Sequence, residues 1–273
     1  MGQRGEGRHG PASIAGRDHR LVPFPVIRLF PLRLTAGRML APSVRHLTFE
    51  RTDGEPVAFV PGQFIQFHFQ YADGTPTKRS YSIATRSDDP SAGGRVEIAV
   101  SYVSGGAATE RLAHLAVGET IDASGPYGRF CLQDGDHNGR YLLVATGTGV
   151  TPYRAMLPSL AQAIGERGCE VALVYGARNE AELLYGEEFE AFARDVPGFS
   201  FHPCFSRVPR TPPRPGDRNG RVQVALADLA PDPIRDIAYL CGNPDMVDES
   251  FALLQHAGLA VRQIRREKYV SSR

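Results

Sequence analysis

The chain has 273 residues, 42% of them hydrophobic and 22% charged, with 31 Lys and Arg against 30 Asp and Glu. This is the balance of a globular protein of about two domains, since a single core serves roughly 100–200 residues. A net charge of +1 gives no general attraction to nucleic acid or a membrane surface, and no apolar run reaches the roughly 18 residues of a membrane span.

Four cysteines, Cys131, Cys169, Cys204 and Cys241, lie far apart with no C-x-x-C pair. No metal site is therefore expected, and the thiols read as reduced ones in a cytoplasmic protein. Residues 1–25 are rich in Gly, Arg and His, without periodicity or the apolar stretch of a secretory signal. They are expected to form a disordered extension.

From residue 26 to 134 the pattern is β. Short strands are expected at Ile27–Phe30, Val44–Phe49, Phe64–Phe69, Arg79–Thr85, Arg95–Tyr102 and Glu119–Ser124, punctuated by Pro42, Asp53-Gly54 and Pro61-Gly62. Six strands at near-regular spacing, with one helical stretch near Thr109–Leu115, predict a small antiparallel six-stranded barrel.

The fourth strand carries Arg79-Ser80-Tyr81-Ser82. An Arg offers a planar fork of donors to a pyrophosphate, a Tyr offers a face to a heteroaromatic ring, and a Ser hydroxyl can donate to a ring nitrogen. Alternation places Arg79 and Tyr81 on one face and Ser82 on the other, so Ser82 reaches the same ligand only if the strand ends or bends there. Downstream, Gly105-Gly106 followed by a helix start at Thr109 suits an anion, with Thr109 as an added donor. Gly125-Pro126-Tyr127-Gly128 closes the segment as a turn.

A polar Gly/Asp stretch, Asp134–Gly139, marks the boundary, and residues 135–273 alternate strand and helix. Tyr141–Ala145 reads as a buried parallel strand running into Gly147-Thr148-Gly149-Val150-Thr151-Pro152, with Thr151 as an N-cap and Pro152 in the first helical turn. Glycines between a strand end and a helix start suit a dinucleotide pyrophosphate. Strands at Val171–Tyr175, Phe199–Phe205, Ile237–Cys241 and Val261–Glu267, with helices at Glu180–Arg194, Val222–Leu229 and Asp245–Ala257, predict a doubly wound parallel α/β sheet. Arg178, Arg207 and Arg221 each follow a strand end, where they could meet a ribose 2′-phosphate.

In order and spacing, Arg79-Ser80-Tyr81-Ser82, Gly106-Ala107-Ala108-Thr109, Gly147–Pro152, Cys241-Gly242-Asn243-Pro244 and Glu267-Lys268-Tyr269 resemble the ferredoxin–NADP reductase family, bacterial type included. The resemblance implies a barrel that binds FAD noncovalently (26–134) and a second domain that binds NADPH or NADP+ (135–273). By it, Arg79, Ser80, Tyr81, Ser82, Gly106, Thr109 and Tyr269 would contact FAD. Gly147, Thr148, Gly149, Thr151, Pro152, Arg178, Ser206, Arg207, Arg221, Cys241 and Gly242 would contact NADP. Ser82, Cys241 and Glu267 would form the catalytic set. Val270–Arg273 extends past Tyr269, unlike members that end on the aromatic residue.

The activity so implied is hydride transfer between NADPH and FAD, with single electrons passing between FAD and a separate ferredoxin or flavodoxin. The protein is expected to be a monomer without nucleic-acid or membrane partners. Two alternatives stand beside it: an NADH-dependent reductase component of an oxygenase system, and a non-catalytic dinucleotide-binding electron-transfer subunit.

Overall fold

A computed structural model describes residues 1–2, 28–71, 73–89, 94–102 and 107–269, with only the backbone of 107–110. Most of the expected N-terminal extension, Gly106, the Thr109 side chain and Val270–Arg273 lie outside the described residues.

The first half is a six-stranded antiparallel sheet in the order β4-β3-β6-β1-β2-β5. Its strands are β1 (Phe30–Ala41), β2 (Val44–Arg51), β3 (Phe64–Gln70), β4 (Pro76–Ser82), β5 (Arg95–Ser101) and β6 (Thr120–Tyr127). The two edges meet just past β4, where Ile83 bridges Ile98 and the Ala84 amide donates to Glu97 O at 2.7 Å, so the sheet closes into a barrel. Leu32, Leu47, Phe49, Phe67 and Ile98 fill it without exposure.

The first strand begins at Phe30 rather than ending there. Two irregularities of register against β2 let its twelve residues bend around the barrel, and such bulges hide a long strand from a period-two reading. Helix α1 (Ala107–His114) packs across the barrel. Arg45 Nη1 lies within 3.2 Å of the carbonyls of Leu112, Ala113 and Leu115, neutralising the negative end of that helix.

The second half is a six-stranded all-parallel sheet in the order β10-β9-β8-β7-β11-β12. It comprises β7 (Arg140–Thr146), β8 (Glu170–Ala177), β9 (Phe199–Phe205), β10 (Arg218–Asn219), β11 (Asp236–Gly242) and β12 (Ile264–Lys268). Helices α2 (Thr151–Arg167) and α3 (Gly186–Asp195) pack on one face, α4 (Val222–Asp228) and α5 (Pro244–His256) on the other. The chain winds outward from β7 to β10 and then returns to the far side of β7, so the crevice above β7 and β11 is the topological switch point.

Three boundaries differ from the sequence reading. Thr151 is the first residue of α2 rather than its cap, which is Val150. The helix expected from Glu180 is split: a 3-10 turn, Glu180–Glu182, is followed by Tyr185 at φ +55°, and α3 starts only at Gly186. The last strand starts at Ile264, because ladder pairing with β11 begins there and Val261–Gln263 forms a 3-10 turn.

One apolar cluster runs from barrel residues Ala41, Val44, Ala99 and Phe130 into Tyr153, Leu157 and Phe189 of α2 and α3, so the two halves share a core. Arg154 of α2 crosses this seam. Its Nη1 donates to Glu97 of β5 at 2.6 Å and to Ala84 O at 2.7 Å, and its Nε donates to Glu188 at 2.8 Å. His46 Nδ1 pairs with Tyr185 OH at 2.8 Å beside it. Burial works against the Glu97 charge, but His46 and Arg154 outweigh it and hold the carboxyl at about 2. Removing one partner of a buried pair strands the other charge. Arg154→Met should therefore lower unfolding free energy by about 3–5 kcal/mol in urea titrations, with part restored when Glu97→Gln is added. A loss under about 1 kcal/mol would mean the seam does not depend on it.

Candidate functional site

The glycine turn after β7 is a single 3-10 turn, Gly147–Val150, leading into α2. Gly147 has φ +54° and open space where a Cβ would stand, while a Cβ on Gly149 would lie 2.2 Å from Cys241 O. Gly242, at φ +131°, would meet Thr146 O at 2.6 Å in the same way. The two glycines let the ends of β7 and β11 interlock, and Asn243 N donates to Thr146 Oγ1 at 3.1 Å across the join.

Beside the turn lies a cavity of about 510 Å³, lined by Gly147, Thr148, Arg178, Ser206 and Arg221 among the residues expected to hold a dinucleotide. Gly149, Thr151, Pro152 and Cys241 are buried in the packing behind it. Arg207 stands exposed and outside the lining; its amide donates to Arg178 O at 3.1 Å. Three lining carboxylates escaped the sequence reading: Glu182, Asp245 and Glu249. Glu182 sits four residues from Arg178, a spacing that could have signalled their 2.6 Å pair; nothing local points to Glu249.

In the barrel, β3–β4 register sets Phe67 opposite Arg79 and Ile65 opposite Tyr81, so both face inward, while Ser80 faces outward to Gln66 Nε2 at 3.3 Å. Tyr81 meets the Phe67 ring edge-on at 5.8 Å, and burial pushes its phenol up to about 12. Arg79 Nη1 donates to Thr77 Oγ1 (3.0 Å) and Lys78 O (2.8 Å), and Nη2 reaches Tyr71 OH at 3.5 Å. Its Nε–H and one Nη2–H have no partner among the described residues, which leaves two donors for a phosphate.

Ser82 closes β4 on the outer face, and the chain leaves the ladder there, so its hydroxyl reaches the second domain. It hydrogen-bonds Tyr269 OH and donates to Glu267 Oε1 at 3.4 Å. Cys241 pairs with Glu267 in the β11–β12 ladder, and the Tyr269 amide donates to Gly242 O at 2.8 Å. Ser82, Cys241, Glu267 and Tyr269 thus meet at the seam between barrel and sheet. Burial lifts the Glu267 carboxyl to about 7, with the Ser82 bond opposing it, and burial followed by the Glu267 charge pushes the Cys241 thiol well above its usual range.

The inward Arg-x-Tyr strand and the glycine turn lie in two regions that match oxidoreductase domain models, so the class is that of a two-domain FAD- and NAD-binding oxidoreductase. The model of the Oxidoreductase FAD-binding domain matches residues 31–131, and that of the Oxidoreductase NAD-binding domain matches residues 143–250. The chain belongs to the ferredoxin–NADP reductase family. It is 37% identical over 215 residues to ferredoxin–NADP reductase B of Sorangium cellulosum, covering 79% of this chain and 82% of that one. It is 33% identical to the phenol hydroxylase P5 protein of Acinetobacter pittii, over 85% of this chain but only 63% of the relative. Among solved structures, the Amycolatopsis cytochrome P450 reductase GcoB superposes with TM-score 0.76 at 29% identity, over 89% of this chain and 70% of that one. A Neisseria gonorrhoeae ferredoxin NADP+ reductase with bound FAD and NADP shares the fold, with TM-score 0.74 at 20% identity, over 88% and 98%. No described helix is long and apolar enough to cross a membrane.

Two outcomes follow from this geometry. A methyl group at position 149 cannot fit against the Cys241 carbonyl, so Gly149→Ala should weaken NAD(P)H binding at least tenfold in equilibrium titrations, about 1.4 kcal/mol; unchanged affinity would show that the interlock does not shape the turn. The folded state holds the Glu267 proton more tightly than the unfolded chain does. Its contribution is complete below about pH 4.5 and is lost as pH rises through about 7. At pH 8 Glu267→Gln should thus gain about 3 kcal/mol of unfolding free energy over its difference from wild type at pH 4.5. Parallel pH profiles for the two proteins would refute this.

Proposed function

We propose that the protein is an FAD-dependent reductase that exchanges a hydride with NADPH or NADH and single electrons with a separate protein carrier, a ferredoxin or flavodoxin. The observation that carries this reading is the meeting of Ser82, from the barrel, with Glu267 and Tyr269, from the sheet, beside buried Cys241. Bound FAD would supply the conversion between paired and single electrons, with flow possible in either direction.

The chain's own residues fit that cofactor pair. Arg79, with two spare donors, would hold the FAD pyrophosphate, and Tyr81, fixed edge-on by Phe67, would lie along the flavin. The open Gly147 and Thr148, both lining the cavity, suit a dinucleotide pyrophosphate at the start of α2, with the Thr151 Oγ1 behind them unpartnered among the described residues. Ser82 would orient the ring edge. Glu267, half-ionised near neutral pH, can hold or release a proton at its carboxyl oxygen through the Ser82 hydroxyl. Cys241 would present a protonated, uncharged sulfur to the nicotinamide. Gly106 and Thr109 keep the binding roles the resemblance gives them as part of this reading.

A second reading, an NADH-dependent reductase component of an oxygenase system, is favoured by relatives named as reductase components of monooxygenases and by the carboxylates that face Arg178 and Arg221 in the cavity. The chain spans 56–67% of the length of those relatives. Anaerobic titration separates a reductase from a passive binding subunit. The purified protein should be yellow, bleach on addition of NADPH or NADH, and pass electrons to ferricyanide and then to ferredoxin. Protein that stays colourless after FAD is supplied would end both readings.

A further inference from the structure

The dinucleotide cavity sets three carboxylates, Glu182, Asp245 and Glu249, against two guanidinium groups, Arg178 and Arg221. The pairing is direct: Arg178 Nε stands 2.6 Å from Glu182, and Arg221 Nη1 stands 3.9 Å from Glu249. The first pair is the closer and the more covered, with Arg178 and Glu182 side chains 53% and 25% exposed against 75% and 51% for Arg221 and Glu249. The Arg178 backbone is fixed beside the cavity, its carbonyl accepting the amides of Arg207 and Val208 at 3.1 and 3.0 Å, while its side chain is 53% exposed. Glu182 engages only its Nε, and Nη1 and Nη2 have no partner among the described residues, so an anion arriving at Arg178 would lie beside the Glu182 carboxylate.

NADH and NADPH differ at the adenosine ribose, by a 2′-hydroxyl in one and a 2′-phosphate in the other. The hydroxyl can donate to a carboxylate. A phosphate monoester carries a charge of about −1.5 to −2 at pH 7, so at Arg178 it would lie against the like charge of Glu182. We propose that Glu182 is a specificity-determining residue, which by engaging Arg178 turns the cavity toward NADH and against a 2′-phosphate. This rests on the reading above that the cavity receives a pyridine dinucleotide. It also revises the expectation that Arg178, Arg207 and Arg221 together select NADPH, since one stands outside the lining and two are already paired.

The test is kcat/KM for NADH and NADPH, with ferricyanide as acceptor, on the FAD-loaded protein. Wild type should favour NADH. Glu182→Gln should raise the NADPH/NADH ratio about three- to tenfold, within the range of one part-exposed ion pair together with the like charge it removes. Glu182→Ala should do the same, which guards against the new amide itself bonding the phosphate. The gain should vanish when Arg178→Gln is added. A wild-type preference for NADPH, an unchanged ratio in both Glu182 variants, or a full gain without Arg178 would overturn the proposal. Reduction by neither nucleotide would overturn the dinucleotide reading itself, and this proposal with it.

Discussion

The Arg154 guanidinium is the fixed point between the two halves. It leaves the first turn of α2, the helix that begins at the glycine turn, and ends on Glu97 and Ala84, where the barrel closes next to Ser82. One side chain therefore ties the nucleotide end of the sheet to the strand end that carries the barrel's hydroxyl. With Glu188, Arg86 and the His46–Tyr185 pair around it, the charge is balanced on both sides of the seam. Tyr185 stands in a left-handed conformation while it makes this contact, a backbone cost of order 1–3 kcal/mol that the surrounding packing must offset.

Across the same seam the chemistry runs the opposite way. At Glu97 the Arg154 cation and a hydrogen bond with His46 hold a carboxylate ionised despite burial, whereas at Glu267 burial prevails and leaves the group close to half-protonated at neutral pH. The difference lies in the partners, since among the described residues the side-chain hydrogen bond to Glu267 comes from the neutral hydroxyl of Ser82. An ionised acid and a part-protonated one are thereby made from the same side chain, both contributed by β-strands.

Much of the site was legible because its signals are local. The Arg-x-Tyr-Ser strand and the glycine turn each carry their chemistry within four to six residues, and the alternation of strand and helix gave the parallel sheet. What escaped depends on contacts distant in sequence or on broken periodicity. Arg154 and Glu97 are separated by 57 positions, and neither has a local cue to the other. Bulges in β1 disguised its length, and the left-handed Tyr185 cut an apparently continuous helix. Ser82 was uncertain from alternation alone; the strand's ending at that residue is a property of barrel closure, which no short window reveals.

The placement of β12 has one more consequence. It is an edge strand of five residues, held on a single side by β11, yet it bears Glu267 and leads directly into Tyr269. Edge elements open at lower free energy than the sheet they border. Fraying of this margin would strip the Glu267 carboxyl and Tyr269 from the seam while both cores stayed intact, so loss of the seam cluster and loss of the fold are separable events in this molecule.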